Sequence, residues 1–406
     1  KLSKIVQEIL LINMVLMSFV YIVYFLGVVF IPELKAEKTL FLISGLNILF
    51  TIVGVEWLYK GIEQYFYITI RSIIFKLIAF LLVFTCVKTE ADYTTYAFII
   101  IFATVGSGVV NLYNLRKVIT IKYFSNYDFK RHLKPMMTFF ITTIAVAFYV
   151  NVSVALLGFI QGNEEVGYYN AAYRIKDVMV SIVTSLGSVL LPRLSYYIEN
   201  NMWDKFSDIL SKSTQFIFIL SLPLVVFCIL FAKPSVLILA GSAYSGSIVP
   251  LQVLAFIIFI VGLSNLTGIQ MLIPLKKEKY LCYSVVIGAV INMVLNLILI
   301  PEYGAIGAAV SVMVAESSIL IYQIYILRAY SQVLFGGISY MRIMIALALA
   351  ISISIWLNIN LNYNEVIVFL VSASLFFICY LGILLLSKEP FIFTILNQIR
   401  SKLTKN

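Results

Sequence analysis

Charge is what this sequence has least of. Of its 406 residues, 12% are Asp, Glu, Lys or Arg, against roughly a quarter in soluble domains. Hydrophobic residues make up 62% and the mean hydropathy is +1.02, so the surface cannot all face water and a soluble globular protein is excluded. His132 is the one histidine, and Cys86, Cys228, Cys282 and Cys379 stand singly in or beside apolar runs. No pair of these has metal-ligand or redox spacing, so burial is the reading for each cysteine. Also missing are a phosphate-cradling Gly-rich loop, a nucleophile elbow and an ATP-binding segment. The chain therefore reads as a non-enzyme that calls for no cofactor and no metal. Nothing near Lys1 reads as a cleavable signal peptide, and a start at Lys is expected to mean that the natural N-terminus lies upstream.

What is there is a series of long apolar runs. A hydrocarbon core about 30 Å thick needs about 20 residues of helix. Candidate spans fall at roughly 5–30, 39–58, 70–87, 93–115, 135–160, 165–190, 212–232, 247–272, 281–300, 304–327, 341–360 and 365–386. The ninth and tenth are parted only by Pro301-Glu302-Tyr303, and Pro301 cannot extend a helix cheaply, which predicts a tight helical hairpin. The runs lack period-2 alternation, which excludes a membrane barrel. The fold class is thus an all-α integral membrane protein with about twelve transmembrane helices. Its aromatic content of 15%, with 26 Tyr, suits belts at two lipid–water interfaces.

The formal net charge of +10 invites nucleic acid as a partner, but the placement of the basic residues argues for a membrane instead. Lys76, Arg174 and Lys176 lie inside spans. Lys35, Lys38, Lys88 and Lys233 fall between spans on one side, and all the other Lys and Arg gather on the opposite side. By the positive-inside rule the crowded side is cytoplasmic, with both ends of the chain there. The longest loops, 116–134 and 191–211, are on that side and too short for a folded soluble domain. Residues 390–405 read as a basic amphipathic helix on the inner surface, or else as a solvated tail. Glu63-Gln64-Tyr65 and Glu278-Lys279-Tyr280 each open a span after a short basic turn, a weak internal echo.

Polar groups in lipid are costly and mark cavities or helix seams. In the sixth span Asn170, Arg174, Asp177, Ser181, Thr184 and Ser188 recur at steps of three and four and so share one helical face. That stripe reads as cavity lining, with a packing seam in which Arg174 pairs Asp177 as the alternative. Ser284, Gly288, Asn292 and Asn296 share a face of the ninth span, Asn292 and Asn296 being candidate substrate contacts or helix glue. Shorter faces are Ser44, Asn47, Thr51 and Gly54 in the second span, and Thr138, Thr142 and Tyr149 in the fifth. Gly304, Gly307 and Ser311 have small-residue packing spacing. Glu316 sits some twelve residues into the tenth span with no basic residue within a turn of it. It reads as a candidate ion-coupling group or as a structural hydrogen-bond partner.

Three stretches together resemble the polysaccharide flippases of the multidrug/oligosaccharidyl-lipid/polysaccharide exporter superfamily. They are Glu56-Trp57-Leu58-Tyr59-Lys60-Gly61-Ile62-Glu63 with Tyr67-Ile68-Thr69-Ile70-Arg71, the run from Asn163 to Ile175 (NEEVGYYNAAYRI), and the run from Asn292 to Ala309 (NMVLNLILIPEYGAIGAA). The resemblance implies about fourteen helices in two pseudo-symmetric lobes forming a V-shaped transporter, of which the first two helices are missing here. It implies an N-terminal lobe at 1–130, a C-terminal lobe at 131–330, and two extra helices with a basic tail at 331–406. The implied substrate is an undecaprenyl-diphosphate-linked oligosaccharide moved from the inner to the outer leaflet of a bacterial cytoplasmic membrane for O-antigen or capsule assembly. Polysaccharide polymerase machinery is an implied partner, and no nucleic acid is expected. Arg174, Asn170, Asp177, Asn292 and Asn296 are the expected substrate contacts, with Tyr168, Tyr169 and Tyr173 placed to stack on sugars. A drug/cation antiporter of the same superfamily, which would use Glu316 and Asp177 as cation sites, is the alternative. An oligosaccharide polymerase is less favoured, because the outward loops are short.

Overall fold

The computed structural model describes residues 2–30, 38–89, 92–120, 126–360 and 365–394. Helix dominates throughout, and no strand occurs among these residues. In hydrocarbon every backbone N–H and C=O must be satisfied within its own segment, and apolar runs of this length can do that only as helices. Nine helices among the described residues are long and apolar enough to cross a membrane, with shorter apolar stretches at Phe41–Phe50 and Asn151–Ile160. The chain divides into two compact units, Lys1–Met137 and Thr138–Asn406.

The first unit holds α1 (Leu2–Phe30), α2 (Lys38–Val53), α3 (Glu56–Gly61), α4 (Tyr65–Cys86) and α5 (Tyr93–Val118). Large side chains such as Phe19, Phe80 and Phe84 stay exposed on α1 and α4, as lipid-facing surfaces require. The small core gathers Val6, Val55, Leu58, Tyr59, Leu115 and Ile119. The expected second span is interrupted between α2 and α3, where Val55 takes a left-handed φ of 43°. Around that break Arg71, itself buried, donates to Asn111 Oδ1 and to Glu56 Oε2 at 3.2 Å. Asn111 donates in turn to the Gly54 carbonyl at 2.6 Å, and the Tyr59 hydroxyl to the Asn111 carbonyl at 2.8 Å. His132, without a partner nearby in sequence, meets one across the fold. Its Nε2 lies 2.9 Å from the buried Glu8 carboxylate, which also accepts the Asp128 N–H at 2.8 Å.

The second unit receives α6 (Lys130–Ile160), whose first turns belong to the first unit, and continues with α7 (Asn163–Glu199), α8 (Trp203–Leu230), α9 (Ala232–Leu239) and α10 (Ile248–Asn265). After a π-helical turn at Leu266–Leu272 come α11 (Glu278–Ile326), α12 (Ser331–Phe335), α13 (Tyr340–Asn360) and α14 (Glu365–Leu386). Helix α10 is central and packs on α7, α8 and α11. The larger core joins Leu210, Ile258, Leu266 and Met271 to Ile343, Phe376 and Tyr380, so the final helix pair packs within this unit. The Tyr380 hydroxyl donates to the Ile219 carbonyl of α8 at 2.9 Å.

One loop differs from expectation. Most of 191–211 is helix: α7 runs on to Glu199 and α8 begins at Trp203, with a left-handed Asn201 (φ 57°) making the turn between them. A polar sequence satisfies a helix as readily in water as an apolar one does in lipid, so hydropathy marked the membrane edge and not the helix end. The 49 residues of α11 would be about 74 Å long if straight, more than twice the hydrocarbon thickness. They break at Gly304, whose φ of 53° and ψ of −128° belong to glycine, and this is the hairpin expected after Pro301. Of the expected amphipathic segment at 390–405, residues 395–406 lie outside the described residues.

Candidate functional site

Helix α7 carries the site, and its sequence explains why. Glu164 and Glu165 in the first turn complement the positive end of the helix dipole. Beyond them Asn170, Arg174 and Asp177 recur at helical spacing among apolar neighbours. Gly167, Asn170, Ala171, Arg174, Ile175 and Val178 line an open cavity of about 620 Å³, together with Leu239, Ala240 and Tyr244. That volume is within the roughly 300–1,000 Å³ common for small-molecule sites. Arg174 is exposed to this space and has no ion-pair partner among the described residues. The alternative in which it pairs Asp177 is not what the side chains do. Further along the stripe, the Ser181 hydroxyl donates to the Val178 carbonyl at 2.7 Å and Thr184 to the Val180 carbonyl at 2.9 Å. These hydroxyls satisfy themselves on their own helix. The Ser188, Thr51, Thr142 and Tyr149 side chains lie outside the described residues.

Behind the cavity wall stands a second cation. Lys176 is 4% exposed. Its Nζ lies 3.6 Å from Asp177 Oδ1 and 3.7 Å from the centroid of the Tyr173 ring. The ring's negative face and a carboxylate together compensate an ammonium taken out of water. Glu316, on α11, is 8% exposed and acts electrostatically on Lys176, Tyr173 and Tyr169. Arg174 and Glu316 therefore do not share the cavity. Arg174 lines it, and Glu316 is buried on the Lys176 side of the same helix.

Asn292 and Asn296 are placed elsewhere. Both are fully buried in a seam between α11 and α6. Asn296 Nδ2 donates to Ser153 Oγ at 2.9 Å and to Asn292 Oδ1 at 3.0 Å, and Ser153 Oγ donates to Asn292 Oδ1 at 3.2 Å. Two turns before Asn292, Ser284 accepts from Gln323 at 3.0 Å and Gln323 accepts from Thr267 at 2.6 Å, so the polar face of the ninth span is occupied in helix packing. The hairpin end of α11 is held from α7 and α6. Glu165 Oε2 accepts the Ala305 N–H at 2.7 Å, and Gln161 Nε2 donates to the Ile300 and Pro301 carbonyls at 3.1 and 2.8 Å.

Comparison with known proteins places this architecture. The MatE family matches residues 139–298, and the polysaccharide biosynthesis protein family matches residues 2–198. A putative O-antigen transporter of Shigella dysenteriae is 26% identical over 329 residues, covering 80% of this chain and 81% of the relative. These matches support a polysaccharide flippase of the multidrug/oligosaccharidyl-lipid/polysaccharide exporter superfamily. A second superfamily relative, a putative O-antigen transporter of Escherichia coli strain K12, is 26% identical over 262 residues, which are 64% of this chain and 63% of the relative. Among solved structures, the lipid II flippase MurJ in an inward closed conformation matches with a TM-score of 0.62 at 17% identity. That match covers 94% of this chain and 82% of that one, and it shows the shared fold.

Sequence reasoning missed Lys176, Tyr244 and the Glu165 clamp. Lys176 had a signal, a basic residue far inside a span. It lies off the polar stripe and so was left without a role. Tyr244 had none, since it reaches the cavity from a short 3₁₀ segment, Ser242–Ser247.

Proposed function

We propose that this chain flips a lipid-linked oligosaccharide, carried on an isoprenoid diphosphate, from the inner to the outer leaflet of a bacterial cytoplasmic membrane for surface polysaccharide assembly. The observation that carries this reading is Arg174, a permanent cation without an ion-pair partner among the described residues, lining a cavity on a helix that runs through apolar sequence. A diphosphate must leave water to cross about 30 Å of hydrocarbon, and a guanidinium offers it both charge and a planar fork of donors. Asn170 supplies amide hydrogen bonds beside it, and Tyr244 an aromatic face with a polar tip suited to sugar hydroxyls. The names of the O-antigen transporters support the same substrate class. A drug/cation antiporter would need a carboxylate free to meet an organic cation. The exposed carboxylate here, Asp177, already has Lys176 beside it, which favours the anionic substrate. Glu316, a carboxyl group buried at 8% exposure on α11, is the proposed coupling group.

The test is complementation of a flippase-null strain, with flipping by purified protein in liposomes. Arg174→Ala should reduce surface glycan and flipping by at least about tenfold at unchanged abundance, and Arg174→Lys should keep part of both. Full activity in Arg174→Ala would remove the assignment. In the same liposomes under an imposed proton or sodium gradient, Glu316→Gln should flip without responding to the gradient. A parental response in that variant would end its coupling role.

A further inference from the structure

We infer that Lys176 is a positioning residue that keeps the cavity's arginine free for an anionic headgroup by holding the neighbouring carboxylate to itself. The inference rests on the headgroup reading of Arg174. On a helix, residues three apart are neighbours, so Arg174 and Asp177 are within pairing reach of one another. Left alone they would form an ion pair, and the cation needed for a diphosphate would be spent on a carboxylate. The structure shows another arrangement. Asp177 lies 3.6 Å from the ammonium of Lys176, while Arg174 lines the cavity.

Three features fix that ammonium in place. Its side chain is 5% exposed, so it does not exchange freely with water, whereas the Asp177 side chain beside it is 62% exposed. The Tyr173 ring lies 3.7 Å below the Nζ and offers its negative face. Glu316, from α11, adds its field from the buried side. A buried cation supported by a ring and a second carboxylate cannot follow Asp177 outward, so Asp177 is drawn toward Lys176 and away from Arg174. The four charges Arg174, Lys176, Asp177 and Glu316 also balance. Loss of Lys176 would leave Asp177 with Arg174 as its nearest cation on the helix, and the arginine's charge would be spent on it.

The test uses the full chain in liposomes with a fluorescent undecaprenyl-diphosphate-linked disaccharide, and in micelles with undecaprenyl diphosphate as the binding probe. Lys176→Met should lower both flipping and binding by about tenfold, since Asp177 is then free to pair with Arg174 three residues away. Lys176→Arg should keep most of both. The decisive arm is Lys176→Met with Asp177→Asn, which removes the competitor for Arg174 and should restore probe binding toward the parent. Should Lys176→Met fold poorly, Lys176→Met with Glu316→Gln removes a buried cation and a buried carboxylate together and supplies the background. Adding Asp177→Asn there should again raise binding by about tenfold. Parental binding in Lys176→Met, or no gain from Asp177→Asn in either background, overturns the inference. A parent protein that neither binds nor flips the probe overturns the headgroup reading instead.

Discussion

At the scale of single residues, sequence marks where polar groups lie but not which way they point. Asn170 and Asn296 are the same amino acid in the same kind of apolar surroundings, yet one lines a cavity and the other is sealed in a seam. Facing helices decide this, and their arrangement is not local in sequence. The seam predicts its own mutant. Asn296→Ala removes donors to Ser153 and Asn292, and inter-helix hydrogen bonds of this kind are worth about 0.6 kcal/mol on average and up to about 1.7. Thermal unfolding in detergent should show a loss on that scale, with flipping per folded molecule unchanged. Loss of flipping without loss of stability would instead make Asn296 a substrate contact. Arg174 was legible because a permanent cation on a polar stripe has few structural uses. The surroundings of Lys176 were not, because Glu316 acts on it from a helix far along the chain.

At the scale of elements, the three stretches that carry the family resemblance turn out to be joints. Glu56 and Arg71, fifteen positions apart, close the corner around the α2–α3 break. Glu165 from the second stretch clamps the N–H of Ala305 in the third. The echo between Glu63-Gln64-Tyr65 and Glu278-Lys279-Tyr280 also has a geometric basis. Gln64 N–H returns to the Tyr59 carbonyl at 2.9 Å and Lys277 N–H to the Leu272 carbonyl at 2.8 Å, with left-handed residues at Glu63 and Lys276. This is the Schellman close of a helix, and it recurs at Asn201 and Lys388, so it describes how these helices turn and not a repeat alone. The hairpin joint gives the sharpest stability prediction. Gly304→Ala would place a Cβ against the Glu165 carboxylate at a φ of 53°, a strain of about 1–3 kcal/mol. A lowered unfolding temperature is expected, while Glu165→Gln, which still accepts the Ala305 N–H, should lie near the parent. A Gly304→Ala protein as stable as the parent would show that the break tolerates a side chain.

At the scale of the whole molecule, orientation remains to be measured, and α7 is the element that tests it. Its 37 residues make a rod of about 55 Å, so its two ends cannot both lie within about 30 Å of hydrocarbon. The ends differ in charge. Glu164 and Glu165 open the helix, whereas Arg193 lies in its last two turns and Lys205 follows across the turn to α8. Acidic residues weigh little in topology and basic ones weigh heavily, which predicts that the Glu199 end is cytoplasmic. The cavity around Arg174 then lies toward the outer face, about 16 Å along the rod from Asn163, where a headgroup would be held late in its crossing. In a background with the four native cysteines replaced, a membrane-impermeant thiol reagent added to intact cells should label Asn163→Cys and spare Asn200→Cys until the cells are opened. Both positions are exposed, so access and not burial decides the outcome. Labelling of Asn200→Cys from outside, with Asn163→Cys protected, would invert the protein and turn the Arg174 cavity into a loading site.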